Sequence, residues 1–217
     1  MRRLDLGRTA TWLGWGTIMV LATLTSLFAL RFLSFNPEAL TEELRPNLLN
    51  HPIQFYAHVL IAPFALLVGV WQFLPATHRN FYHRWAGRLY VMCVVLASIA
   101  GFFIAVTTAA GMLAGSGFMI LAVLWLAATA KALFLARAGD FEAHRAWMIR
   151  SYALTCAAIT LRIIVPIGIT VGAGFATSYI VASWACWILN LLIAEWIVRR
   201  VRVREVVPLR PIRSSPP

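Results

Sequence analysis

Two histidine–arginine segments hold most of the residues in this chain that could do chemistry. Phe81-Tyr82-His83-Arg84-Trp85-Ala86-Gly87-Arg88-Leu89-Tyr90 and Phe141-Glu142-Ala143-His144-Arg145-Ala146-Trp147-Met148-Ile149-Arg150-Ser151-Tyr152 keep one order once small gaps are allowed: Phe, His-Arg, Trp, Arg, Tyr. A neutral imidazole can ligate haem iron, and a guanidinium can grip a propionate or headgroup oxygens with two parallel bonds. If the helices these segments open face one another, His83 and His144 lie at equal depth. A single haem b then fits between them, with Arg84, Arg88, Arg145 or Arg150 on its propionates. Placed at headgroup depth, the same clusters make a pocket for a phosphate or a quinone headgroup. Trp, Tyr and Arg are also ordinary anchors of the membrane–water interface, and that role alone explains everything in the pattern except the paired histidines.

Arg162 is a second candidate because it interrupts an apolar run. Counted from His144 it lies about 27 Å along a helix, and an unpaired arginine inside a bilayer costs about 3 kcal/mol on insertion scales. His58 falls at comparable depth on another span, with Gln54 one turn earlier on the same face. No acidic residue belongs to that level. The guanidinium must therefore be met by His58, Gln54, backbone carbonyls, water or an anionic ligand, or else snorkel outward to lipid phosphate. Glu195 stands one turn from Arg199, where an ion pair along one helix is the plain reading. Asp140 and Glu142 read as solvated loop residues.

The elements that position these residues follow from composition. Of 217 residues, 61% are hydrophobic and only 12% charged, with a mean hydropathy of +0.78; soluble domains carry about 25% charge. The chain is expected to be an all-α, polytopic membrane bundle with spans at about 10–32, 53–74, 86–110, 116–137, 145–171 and 178–198, followed by a basic tail, 199–217. Each span satisfies the need for about 20 residues to cross a hydrocarbon core about 30 Å thick. The apolar run from Leu89 to Ala130 is long enough for two spans, and Gly111, Gly115, Ser116 and Gly117 are expected to form the turn between them. Cys93, Cys156 and Cys186 each sit in an apolar run without metal-ligand spacing and read as small buried hydrophobes.

Charge sets the orientation. With the N-terminus inside, 16 of the 19 basic residues fall in inner segments, Arg31 and Arg45 fall outside and Arg162 falls within the membrane. The lysine and arginine bias of cytoplasmic loops then predicts both termini on the cytoplasmic side of the membrane. The net charge of +11 is explained by attraction to the anionic inner leaflet, at about 1 kcal/mol per basic residue, and nucleic acid is not an expected partner. No Walker or dinucleotide loop, His-Glu-x-x-His or Gly-x-Ser-x-Gly motif occurs.

The residues His58, Gln72-Phe73, His83-Arg84-x-x-Gly87-Arg88-x-Tyr90 and His144-Arg145-x-Trp147-Met148-x-Arg150-Ser151-Tyr152-Ala153 resemble the bacterial membrane family catalogued as domain of unknown function 2306. The resemblance covers roughly residues 50 to 200, and Arg162 falls at a position where that family also carries an arginine. It implies a multi-helix inner-membrane protein and supplies no activity. More distantly, a histidine opening a membrane helix with a glycine four positions on resembles cytochrome b561-like proteins, although this chain has one matched histidine pair where they have two. The order of the two His-Arg segments predicts that spans two and three correspond to spans four and five as a duplicated hairpin. Three functions follow as expectations: a haem- or quinone-associated redox protein or accessory subunit, a binder of anionic lipid or a small anion, and a structural subunit of a membrane complex.

Overall fold

The computed structural model describes residues 6–73 and 81–206, with side chains for residues 13–73 and 81–200. The described chain forms helices joined by turns and short loops, and six of its segments are long and apolar enough to cross a membrane. The first is α1 (Leu6–Ala29), continued by a 3₁₀ segment, Leu30–Ser34. A short α2 (Arg45–Asn50) precedes the second span, α3 (Pro52–Trp71). The hairpin α4 (Phe81–Val106) and α5 (Met112–Arg137) follows. The fifth span is split into α6 (Phe141–Thr155) and α7 (Ala157–Thr170), and the sixth is α8 (Gly174–Val206). An even number of spans brings both ends of the described chain to one face, called here the basic face; the opposite, loop face carries residues 30–51.

α3 packs chiefly on α4, α4 on α5, α5 on α6, and α7 on α8, while α1 lies along α3. Where these helices converge, the core is built from Leu66, Val70, Tyr90, Val94, Trp125, Tyr152 and Leu154, all buried. A second cluster, Ala29, Phe32, Leu40, Leu48 and Phe55, anchors the 30–51 connection on the loop-face end of α3. Asn47 of that connection reaches the α4–α5 turn, accepting from the Ala109 amide at 2.9 Å.

The α4–α5 turn corrects the sequence expectation. The chain reverses at residues 107–111, where Gly111 takes a φ of +87° that favours glycine. Gly115, Ser116 and Gly117 lie inside α5. A Cβ at Gly115 would stand 2.5 Å from the Ala105 carbonyl oxygen, and one at Gly117 would stand 2.8 Å from that of Ser183. Those glycines serve close backbone approach, the use small residues commonly have between membrane helices. The turn before α8 is as expected, with Gly172 and Gly174 both at positive φ. The helix of the sixth span runs past 198 to Val206, so the basic tail begins as helix; residues 207–217 lie outside the described part.

Span five is interrupted near its middle, a feature that no glycine or proline announces there. Cys156 closes α6 with a φ of −66° and a ψ of −8°. The carbonyl of Ala153, which a continuous helix would bond to the amide of Ala157, accepts instead from Nδ2 of Asn190 on α8 at 3.0 Å. Thr155 also bonds back to the Ser151 carbonyl at 3.0 Å, a habit of Ser and Thr that often distorts helices. Further along, Pro166 has no N–H to offer the carbonyl one turn back, which is that of Arg162. Arg162 is thus bracketed by two irregularities.

Candidate functional site

The break gives the two halves of span five different neighbours. α6 packs on α5 and α8 and reaches α3, whereas α7 lies along α8 and touches α1 lightly. Arg162, exposed on α7, is within electrostatic range of His58 on α3, Arg31 beyond α1 and Tyr179 on α8. The region these four side chains share, between α7, α8, α3 and the segment beyond α1, is called here the seam. On rise-per-residue arithmetic Arg162 is about 12 Å below the loop-face end of α7 and His58 about 9 Å below that of α3, so the shared depth read from the sequence holds.

Each side chain at this seam is aimed by its own element. Arg162 donates Nη1 to the Ala158 carbonyl at 2.9 Å. Ala158 is one turn nearer the helix N-terminus, so the guanidinium points away from the loop face and toward the middle of the membrane. His58 is fixed by a bond between Nδ1 and the Ala97 carbonyl at 2.8 Å; a carbonyl can only accept, so Nδ1 carries the proton and Nε2 is left as an acceptor in the neutral ring. Gly101 makes room for the ring, since a Cβ there would lie 2.8 Å from Nδ1. Arg31 spreads over the rings of Phe28 and Phe32, at 3.9 and 4.7 Å from their centroids. Tyr179 is stacked on Phe175 with centroids 5.4 Å apart.

At the basic face the two His-Arg segments are used differently. Gln72, with its amide turned to satisfy its neighbours, donates to His83 Nδ1 at 3.0 Å and accepts from the Gly87 amide at 3.2 Å. His144 Nδ1 instead meets the Ala132 carbonyl at 2.8 Å. His83 therefore accepts at Nδ1 and keeps its proton on Nε2, while His144 donates at Nδ1 and leaves Nε2 bare. Each ring is tied to the helix that precedes it, His83 to the end of α3 and His144 to α5. Arg84, Arg88 and Arg145 are exposed, with Arg88 over the Trp85 ring at 5.0 Å. Arg150 is drawn inward, over Trp147 at 4.8 Å and into an ion pair with Glu195 of α8. Beside Arg199, the neighbour the sequence points to, Glu195 thus has a partner on another helix.

Both regions lie in the stretch covered by one family model, described as predicted membrane protein (DUF2306), which matches residues 55–198. The chain belongs to this family. The match takes in His58, both His-Arg segments and Arg162, and leaves α1 and Arg31 outside it. No curated protein and no solved structure matches the chain.

In this DUF2306 chain the buried tyrosines of the two segments also part company. Tyr90 Oη lies 2.8 Å from both Ser151 Oγ and Thr155 Oγ1, and Trp125 Nε1 donates to Thr155 Oγ1 at 2.9 Å. Thr129 completes the network with Ser151 at 2.7 Å. Tyr152 donates to the Leu66 carbonyl at 3.1 Å and shares a side-chain hydrogen bond with Cys156. Every hydroxyl in the network has a partner, which is what hydrocarbon demands, and its members join α4, α5 and α6. Sequence reasoning assigned Tyr90 and Tyr152 to the interface. It also took Asp140 for a solvated residue, whereas Asp140 caps α6 by accepting from the Ala143 amide at 3.0 Å. Three consecutive features, an Asp, a Phe and a Glu at the start of a helix, carried that signal. Among the described residues no group of three or more His, Cys, Asp and Glu is arranged to hold a metal ion.

Proposed function

We propose that this integral membrane protein binds an anionic amphiphile, an oxyanion head on an apolar tail, at the seam occupied by Arg162, Arg31 and His58. The direction of Arg162 carries the reading. A guanidinium in the membrane that only sought lipid phosphate would snorkel toward the nearer interface; this one turns a full helical turn the other way, to the Ala158 carbonyl. Among the described residues no carboxylate pairs with it. The Ala158 bond uses one of the five N–H donors of a guanidinium, and Arg31 adds a second positive charge instead of neutralising the first.

The backbone supports the same reading. Interrupted helices at membrane depth persist where they are buried in protein or line a site, and ligand groups in transporters are often held at such breaks. Exposed Ile163, Ile167 and Phe28 supply apolar surface for a tail next to the cations. By the positive-inside bias, we take the basic face as cytoplasmic, which puts the seam in the outer half of a bacterial inner membrane.

The test uses the purified protein in phosphatidylcholine nanodiscs, with thermal unfolding followed by tryptophan fluorescence. Oleate or phosphatidylglycerol is expected to raise the midpoint, and inorganic phosphate distinguishes a free anion from a lipid. A charge-assisted hydrogen bond contributes about 1.5–3 kcal/mol, so Arg162→Gln should weaken binding about 10- to 100-fold. Equal stabilisation of wild type and Arg162→Gln by every anion would sink the proposal.

A further inference from the structure

We infer that Asn190 is a positioning residue for Arg162: its side-chain amide clips together the two halves of span five and so sets where α7 carries the guanidinium. This rests on the reading of Arg162 as the anion-binding group.

The amide works on both sides of the break at once. Below it, Nδ2 donates to the Ala153 carbonyl of α6 at 3.0 Å. Above it, Oδ1 accepts from Thr160 Oγ1 of α7 at 2.9 Å. An open carbonyl in hydrocarbon must find a donor, and the lower bond alone would meet that need. The upper bond does something further, because Thr160 lies between Ala158 and Arg162 on the same short helix. Fixing Thr160 fixes both the guanidinium's base and the carbonyl that aims it. The asparagine belongs to α8, the helix along which α7 packs, so the clip also holds α7 against the wall that bears Tyr179. Arg162, Thr160 and Asn190 all lie inside the segment matched by the family model.

Loss of the clip frees α7 to pivot about Cys156. Ile167 is about 15 Å along α7 from the break, so a change of about 20°, the size of a helix kink, moves it by about 5 Å. Spin labels at Ile53→Cys and Ile167→Cys, in a chain with Cys93, Cys156 and Cys186 replaced by Ala and held in nanodiscs, report that movement. A second pair, Phe64→Cys with Phe141→Cys on α3 and α6, reports whether the rest of the bundle is intact. Asn190→Leu and Thr160→Val are each expected to shift the first distance by about 5 Å, to leave the second unchanged, and to weaken oleate binding about 10-fold. Thr160→Ser, which keeps the hydroxyl, should restore both. If Thr160→Val and Asn190→Leu keep the wild-type distance and oleate affinity, Asn190 does not position Arg162, and the anion site still stands so long as Arg162→Gln weakens binding. If Arg162→Gln binds oleate like wild type, the site reading falls, while an unchanged distance in Thr160→Val would separately overturn the clip.

Discussion

Arg150 holds Glu195 through two parallel bonds, Nε to Oε1 at 2.5 Å and Nη2 to Oε2 at 3.0 Å, joining α6 to α8 near the basic face. The side chains are 17% and 39% exposed, so screening reduces the pair below the value of a fully buried one. Glu195→Gln should still lower stability by about 1–2 kcal/mol, because it leaves a mostly buried guanidinium with a weaker partner. The double exchange Arg150→Glu with Glu195→Arg should recover part of that loss in a double-mutant cycle. Thermal unfolding in detergent is the measurement. Additive losses with no recovery would mean that the two residues act independently.

Tyr90→Phe removes one hydroxyl and strips a partner from both Ser151 and Thr155. Leaving buried groups short of a hydrogen bond costs about 1–3 kcal/mol. Tyr152→Phe removes the bond to the Leu66 carbonyl and a weak one to the Cys156 thiol and should cost less, about 1 kcal/mol. The order of the two unfolding midpoints is the check. A Tyr152→Phe chain less stable than Tyr90→Phe would mean that the network is not what joins α4, α5 and α6.

The six spans and the common depth of His58 and Arg162 were legible because both depend only on rise per residue and on where charge is tolerated. What escaped depends on neighbours. Gly115 and Gly117 look like turn formers in sequence, and only the nearness of Ala105 and Ser183 reveals them as packing residues. The break at Cys156 follows a Thr155 back-bond and an asparagine contributed from α8, and neither leaves a local mark on span five. Arg31, assigned by sequence to an outer loop, comes within range of Arg162 because the connection folds down onto α3 through Phe32 and Leu48.

The contrasting tautomers of His83 and His144 give a spectroscopic expectation. With Gln72 donating to its Nδ1, His83 carries its proton on the nitrogen that iron would need. Iron at either ring would require Nε2 to be free of its proton, so the reduced-minus-oxidised spectrum of the purified protein at the Soret and α positions of a b-type haem, compared with that of His83→Ala, checks the assignment. Bands that vanish in His83→Ala or His144→Ala would reverse the tautomer assignment and restore the haem reading of the two segments.

Gly101 gives the sharpest test of whether the orientation of His58 matters to the seam. An added methyl would lie 2.8 Å from His58 Nδ1 and 3.0 Å from Cε1, inside the distance that real Cβ atoms keep. The α4 backbone there is helical and packed on α3, so the imidazole is the part that gives way. Moving it breaks the 2.8 Å bond to Ala97, at about 1 kcal/mol or more, and shifts the imidazole that lies within electrostatic range of Arg162. Gly101→Ala should thus lower the unfolding midpoint and weaken oleate binding together. The control is Gly16→Ala on α1, where nothing lies within 4 Å of the new methyl. There the change should be neutral or stabilising by up to about 1 kcal/mol through helix propensity alone. A Gly101→Ala chain that is destabilised yet binds oleate with wild-type affinity would remove His58 from the binding site and leave Arg162 and Arg31 to hold the anion.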